Sequence, residues 1–253
     1  MARERPTLVL LHGFPLDHTM WQGQVQGLAD VADVFAPDLR GFGAWKKKID
    51  HVLTMEDFAT GLRQELALRA ADRVVLCGLS MGGYVAMDFA ARWPHRVQGM
   101  VLANTRANAD DAEGMAAREG MAQDALTKGM AVIARGMVPK LIGRRSLAWK
   151  PGLQQTLREI IVRQRPEAVA AAARGMALRP DRFADLRRWT FPTLVITGDD
   201  DDLMPLPTSR AMADAVPGAR LVVVPGAGHL SPMEQPDAFN AAVRGFLLGI
   251  ADA

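Results

Sequence analysis

One cysteine, Cys77, is all that the 253 residues carry, so no disulfide can form within the chain. An uncrosslinked chain fits a reducing compartment. An excess of charge is also missing: 30 Lys+Arg against 28 Asp+Glu leave +2. That removes the global electrostatic case for nucleic acid or an anionic membrane as partner. No apolar run approaches the ~20 residues that span a bilayer. The N-terminal segment Met1-Ala2-Arg3-Glu4-Arg5-Pro6 is charged, and the apolar run behind it, Leu8–Leu11, is too short for the core of a secretory leader. Internal repeats and low-complexity linkers are absent as well. The expectation is a cytoplasmic globular protein whose length suffices for one large core.

What is present has a regular order. Thr7–Leu11, Asp33–Pro37, Arg73–Cys77, Val97–Ala103, Thr193–Thr197 and Arg220–Val224 are short apolar runs ended by turn residues, and they read as strands. Helical patterns lie between them: Met20–Leu28, a helix from Thr54 to about Arg69 with Thr54 and Asp57 as its capping pair, and the stretch up to Arg92. Ser209–Val216 and Pro236–Leu248 complete the set. Strands alternating with helices imply an α/β fold with a mostly parallel sheet, helices on both faces. The alternation stops after Asn104. Residues 105–189 are rich in Ala, Met and Arg and have no convincing strand, so they read as a cap of three or four helices inserted into a core made of 1–104 and 190–253. Between Thr105 and Arg188 there are 16 Lys+Arg and 9 Asp+Glu, a net of +7, which leaves −5 for the rest. A solvated helical surface accounts for this; mild attraction of acidic substrates is the sharper reading.

Gly78-Leu79-Ser80-Met81-Gly82 sits between a strand and a helix. A serine flanked two residues away by glycines at such a turn is the pattern of a nucleophile elbow. The serine must hold strained backbone angles to lift its hydroxyl clear of the sheet, and side chains at either glycine would collide with the neighbouring strand and helix. Cys77, next to the elbow, reads as a small buried hydrophobe rather than as a thiol nucleophile.

Taken with His12-Gly13-Phe14-Pro15, Asp38-Leu39-Arg40-Gly41-Phe42-Gly43, the Gly198–Pro205 segment and Gly226-Ala227-Gly228-His229, the elbow makes five motifs in one order. The chain resembles the α/β-hydrolases over essentially its whole length. Within them it resembles 3-oxoadipate enol-lactonase-like esterases and cofactor-free haloperoxidases (perhydrolases), above all at His12–Trp21 and Gly228–Pro236. Members of that family often carry an antiparallel hairpin before the first parallel strand. Only six residues precede Thr7, so six strands without the hairpin are expected. Where the family usually has small or acidic residues after the second motif, this chain has Ala44-Trp45-Lys46-Lys47-Lys48, either a solvated loop or a flank of the site entrance.

The resemblance implies a serine hydrolase for small carboxylic esters or lactones. Ser80 would be the nucleophile and His229 its base, in the chain order nucleophile, acid, base. Among Asp199, Asp200, Asp201 and Asp202, the family spacing from Gly198 and to Pro205 selects Asp201 as the acid that orients His229. The other three become turn residues, N–H acceptors or solvent-facing charges. Such crowding should raise carboxyl pKa values, and the run lacks the spacing of a calcium loop, so no metal is expected. Backbone N–H groups of Phe14 and Met81 would form the oxyanion hole. Pocket candidates are Pro15, Trp149, Met137, Leu203 and Leu230, with further cap methionines Met115, Met121, Met130 and Met176. No cofactor is implied. The implied partner is a small-molecule ester or lactone, with no nucleic acid and no membrane, and a homodimer through the cap is compatible with the sequence. Perhydrolysis by the same triad, a hydroxynitrile lyase, and a ligand-sensing receptor with little turnover stay open as alternatives.

Overall fold

A computed structural model of the chain describes residues 5–251. Residues 1–4, which hold most of the charged N-terminal segment, lie outside the described residues. The apolar runs become β1 (Thr7–Leu11), β2 (Asp33–Phe35), β3 (Val74–Leu79), β4 (Val97–Ala103), β5 (Thr193–Gly198) and β6 (Arg220–Val224). They form one sheet in the order β2-β1-β3-β4-β5-β6, and every pair is parallel. β3 and β5 are buried at every position, which explains their uninterrupted apolar runs. The edge strands β2 and β6 are half-buried.

Around the sheet lie α1 (Gln22–Gly27), α2 (Met55–Leu68) and α3 (Met81–Arg92), followed after the insert by α10 (Leu206–Ala215), α11 (Ser231–Glu234) and α12 (Pro236–Ala251). α3 packs on β1, β3 and β4, while α12 packs on β4, β5 and β6. α2 starts with the expected reciprocal cap. The Asp57 N–H donates to Thr54 Oγ1 at 3.2 Å, and the Thr54 N–H donates to the Asp57 carboxylate at 2.8 Å.

Between β4 and β5 the chain forms six helices rather than three or four: α4 (Ala112–Lys128), α5 (Met130–Leu141), α6 (Arg144–Trp149), α7 (Pro151–Val162), α8 (Pro166–Ala177) and α9 (Phe183–Leu186). The extra breaks have local causes. Gly129, at φ +80°, ends α4, and prolines at the first position open α7 and α8. α8 lies against α4, and α7 against α5. Arg163, just after α7, donates from Nε to Asp17 at 2.8 Å, and Gln164 Nε2 donates to the same carboxylate at 2.8 Å. The insert is thereby tied to the loop that follows β1.

Because all strands run the same way, the segments after β1, β3, β4, β5 and β6 emerge at one edge of the sheet. That edge is where an open parallel sheet binds ligands. It gathers His12–Pro15, Ser80, Asn104, Asp201 and His229.

Candidate active site

Ser80 follows β3 with φ +53° and ψ −115°, a left-handed conformation that non-glycine residues seldom adopt. A Cβ at Gly78 would strike the backbone of Gly82 and Gly83, and a Cβ at Gly82 would strike the Leu11 carbonyl. Both glycines are thus required by close approach of backbone. The Ser80 N–H donates to the Ala103 carbonyl at 3.0 Å, and the Thr105 hydroxyl donates to the Ser80 carbonyl at 2.8 Å. These bonds brace the strained turn from β4.

Met81 is the first residue of α3, so its N–H has no intrahelical acceptor. Among the described residues, the Phe14 N–H finds no backbone acceptor either. The Phe14–Pro15 peptide is cis. His12 organises this loop: its Nδ1 donates to the Gly13 carbonyl at 3.0 Å, and its Nε2 accepts the Leu39 N–H at 3.0 Å. Burial pushes the ring's pKa below its usual value, which agrees with the neutral form those two bonds require.

His229 lies in the turn after β6, buried, with Nδ1 at 3.0 Å from Asp201 Oδ2 and 3.2 Å from Oδ1. Burial pushes Asp201 upward, but the His229 charge and hydrogen bond, with help from Asn104 and the Met204 N–H, hold it below the usual carboxylate range. Two members of the four-Asp run, Asp200 and Asp201, are held below the usual range rather than raised by crowding. Each neighbour has its own partner or faces water. Asp199 accepts the Gly226 N–H at 2.7 Å. Asp200 accepts the Arg144 N–H at 2.6 Å and its guanidinium, which lowers its pKa. Asp202 is exposed.

Ser80 and His229 line one cavity of about 370 Å³ beneath the helical insert. The Ser80 hydroxyl makes no hydrogen bond to any described residue in this state. Catalytic hydrogen bonds are often long before substrate binds. Met137 and Leu203 line the cavity, as do Met121 and Met176 from the insert and Phe14 from the first loop. Three pocket candidates lie elsewhere. Trp149 is 80% exposed on α6, where the short helix turns it to solvent. Leu230 is fully buried, its N–H donating to the Leu141 carbonyl at 3.1 Å, and Pro15 is buried without reaching the cavity. Met115 is exposed and Met130 is buried away from the cavity. Lys46, Lys47 and Lys48 are exposed, with Lys47 over the Trp45 ring at 5.4 Å and none of them at the cavity. Cys77 is buried in β3, and burial pushes its thiol pKa far up, which leaves it protonated and unreactive.

A family comparison matches residues 8–242 of the chain to the alpha/beta hydrolase family. The chain belongs to the α/β hydrolase family. A thermophilic esterase from Thermogutta terrifontis, solved with malate bound, superposes on this α/β hydrolase with a TM-score of 0.94 at 41% identity, covering 97% of this chain and 90% of that one. The enol-lactonase from Burkholderia xenovorans gives a TM-score of 0.89 at 28% identity, covering 97% and 92%. A pimeloyl-[acyl-carrier protein] methyl ester esterase of Nitrosomonas europaea is 31% identical over 249 residues, 92% of each chain.

Two residues to which the sequence assigns no role, Asn104 and Glu234, support the site. Asn104, after β4 at φ +46°, donates from Nδ2 to Asp201 Oδ2 at 2.8 Å and to the Gly228 carbonyl at 3.1 Å. Its Oδ1 accepts the Ser231 hydroxyl at 2.5 Å. Glu234, fully buried, accepts the N–H groups of Gly228 (2.9 Å) and Leu230 (3.1 Å) on either side of His229. Its other oxygen accepts the Gly143 N–H at 2.9 Å, so one carboxylate ties the histidine turn to the insert. Asn104 has a signal in the sequence, being a residue tolerant of positive φ at a strand end. Among the described residues, Asp17, His18 and Asp38 cluster closely enough to suggest a metal. Their hydrogen bonds explain the grouping instead: Asp17 takes Arg163 and Gln164, and Asp38 takes the His18 ring at 2.7 Å.

Among the described residues, no helix is long and apolar enough to cross a membrane.

Proposed function

We propose that this α/β hydrolase cleaves small carboxylic esters or lactones through an acyl-enzyme on Ser80. The observation that carries this reading is the buried His229–Asp201 pair, at 3.0 Å, opening onto the same cavity as the positive-φ serine. The esterases and the enol-lactonase among its relatives support it. His229 takes the Ser80 proton on Nε2 as Oγ attacks the carbonyl carbon. Asp201 keeps the ring in the tautomer that presents Nε2 and stabilises the imidazolium. The N–H groups of Phe14 and Met81 receive the oxyanion. His229 then hands the proton to the leaving alcohol oxygen as the tetrahedral intermediate collapses to the acyl-enzyme. Water, deprotonated by His229, attacks the acyl carbon; the acid departs and the proton returns to Ser80. The 105–189 segment acts as a lid whose methionines form an adaptable apolar wall.

Hydrolysis of 4-nitrophenyl acetate by three variants tests this. Ser80→Ala should leave only a trace of the wild-type rate. Asp201→Asn should lose on the order of 10⁴-fold, as expected when the histidine is held in the wrong tautomer, while Asp200→Asn stays close to wild type. Substantial activity in Ser80→Ala, or the reverse order of the two aspartates, refutes the assignment.

A further inference from the structure

The cavity's wall is not uniformly apolar. Tyr84 lies four residues beyond Ser80 on α3, and its N–H donates to the Ser80 carbonyl at 3.3 Å. Its side chain is therefore rooted about 6 Å along the helix from the nucleophile. Tyr84 is only 4% exposed, and its hydroxyl is buried with no hydrogen-bond partner among the described residues. Arg106, just after β4, lines the same cavity, and its Nε is likewise buried and unpartnered. The two side chains lie close enough to interact, yet among the described residues neither the Tyr84 hydroxyl nor Arg106 Nε has a partner at hydrogen-bond geometry. A buried donor left unmatched is costly unless something else meets it.

The surrounding charges leave that position electropositive. Asp110 is the nearest carboxylate to Arg106, at 3.7 Å, and is already held by Arg118 at 3.1 Å and Arg179 at 2.7 Å. Burial would raise Asp110, but Arg179 and Arg118 hold it at about 2, so it stays ionised and is shared among three guanidinium groups. Asp111 caps α4 through the Gly114 N–H at 2.8 Å, and Asp124, at the cavity, pairs with Lys128 at 2.7 Å. Arg118 and Lys140 also reach the cavity. Arg179 stacks over the Tyr84 ring at 4.3 Å, which fixes the phenol where it is.

We propose that Tyr84 and Arg106 form an anion subsite in the catalytic cavity, and that the favoured substrates are esters or lactones whose acyl part carries a carboxylate. This rests on the esterase reading above. The carboxylate would accept from the Arg106 guanidinium and the Tyr84 hydroxyl, so placing the scissile carbonyl at Ser80 by its far end. The net +7 of the 105–188 stretch would add long-range attraction that salt screens.

Monomethyl glutarate and methyl pentanoate are a matched pair, one anionic and one neutral, and their cleavage is followed by pH-stat. At low ionic strength the wild-type kcat/KM ratio should favour the anion by on the order of ten- to a hundredfold. Arg106→Gln should bring that ratio towards one, with Tyr84→Phe in between. A ratio taken within one variant does not depend on how much of it folds. Calorimetry with glutarate gives a readout independent of turnover: binding to wild type, lost in Arg106→Gln. A wild-type ratio near one, or a preference that survives Arg106→Gln, overturns the subsite. Cleavage of methyl pentanoate with no glutarate binding sinks the subsite alone. Glutarate binding through Arg106 with neither ester cleaved sinks the esterase reading and the substrate preference, leaving an anion-binding protein.

Discussion

Asn104 donates its side-chain amide to Asp201 Oδ2 at 2.8 Å from a backbone at φ +46°. The acid that orients His229 is thus itself oriented, from the end of the neighbouring strand. Asn104→Asp keeps the shape but sets a carboxylate against a carboxylate, and one of such a pair is forced to take up a proton. Ester hydrolysis should fall on the order of 10²-fold, the scale of a displaced catalytic group. Asn104→Gly, which accepts the backbone freely and adds no charge, should fall less. Initial rates on 4-nitrophenyl acetate compare the two; equal losses would mean that the amide does not act on Asp201.

Strain at the elbow separates stability from activity. Ser80 holds φ +53°, which costs a non-glycine residue about 1–3 kcal/mol. Ser80→Gly should therefore unfold at higher denaturant concentration than Ser80→Ala, by about 1 kcal/mol after allowing for glycine's extra freedom in the unfolded chain. Both should be inactive. A Ser80→Ala protein as stable as Ser80→Gly would show that the turn is not strained.

Glu234 serves three N–H groups with two carboxylate oxygens. Glu234→Gln retains one acceptor oxygen and points an NH₂ at a donor, so the Gly143 N–H or the histidine turn loses its partner. Equilibrium unfolding should register a loss of about 1–3 kcal/mol, together with reduced activity, because the same carboxylate positions His229. An unchanged midpoint would remove Glu234 from the account of how insert and core are held together.

Asp17 predicts behaviour in acid. Burial pushes its carboxyl up, but hydrogen bonds from Arg163, Thr19 and Gln164 outweigh burial and hold it far below the usual range. A depressed carboxyl contributes stability that is complete above its unfolded pKa near 3.8 and is lost as pH falls towards the folded value. Removing its main partner with Arg163→Ala should cost about 1.5–3 kcal/mol near neutrality, the usual worth of a hydrogen bond to a charged group. The gap between wild type and variant should narrow as pH falls below about 3.8. Denaturant midpoints from pH 7 to pH 2.5 check this; a gap that widens in acid contradicts the assignment.

The elbow was readable because Gly78 and Gly82 are demanded by backbone approaching backbone, a constraint that leaves its mark in residue type. The strands were readable because a parallel sheet buried on both faces needs continuous apolar runs. Asp201 emerged only through the family spacing, since four consecutive aspartates look alike until Arg144, the Gly226 N–H and His229 choose among them. Trp149 misled because an apolar side chain on a six-residue helix carries no pattern to say which way it faces. The breaks in the insert were underread for a related reason: a glycine or proline can end a helix, yet only packing decides which ones do. Tyr84 and Arg106 belong to different elements, and nothing in their spacing announces that they share a wall with Ser80.

The proposed mechanism passes through a covalent acyl-enzyme on Ser80. Rapid quenching during turnover of 4-nitrophenyl acetate, followed by peptide mass spectrometry, measures it directly. One acetyl group per chain is expected, on Ser80 within the 74–92 segment, absent from Ser80→Ala. Turnover with no adduct on Ser80, or with the acetyl group on another residue, would contradict it.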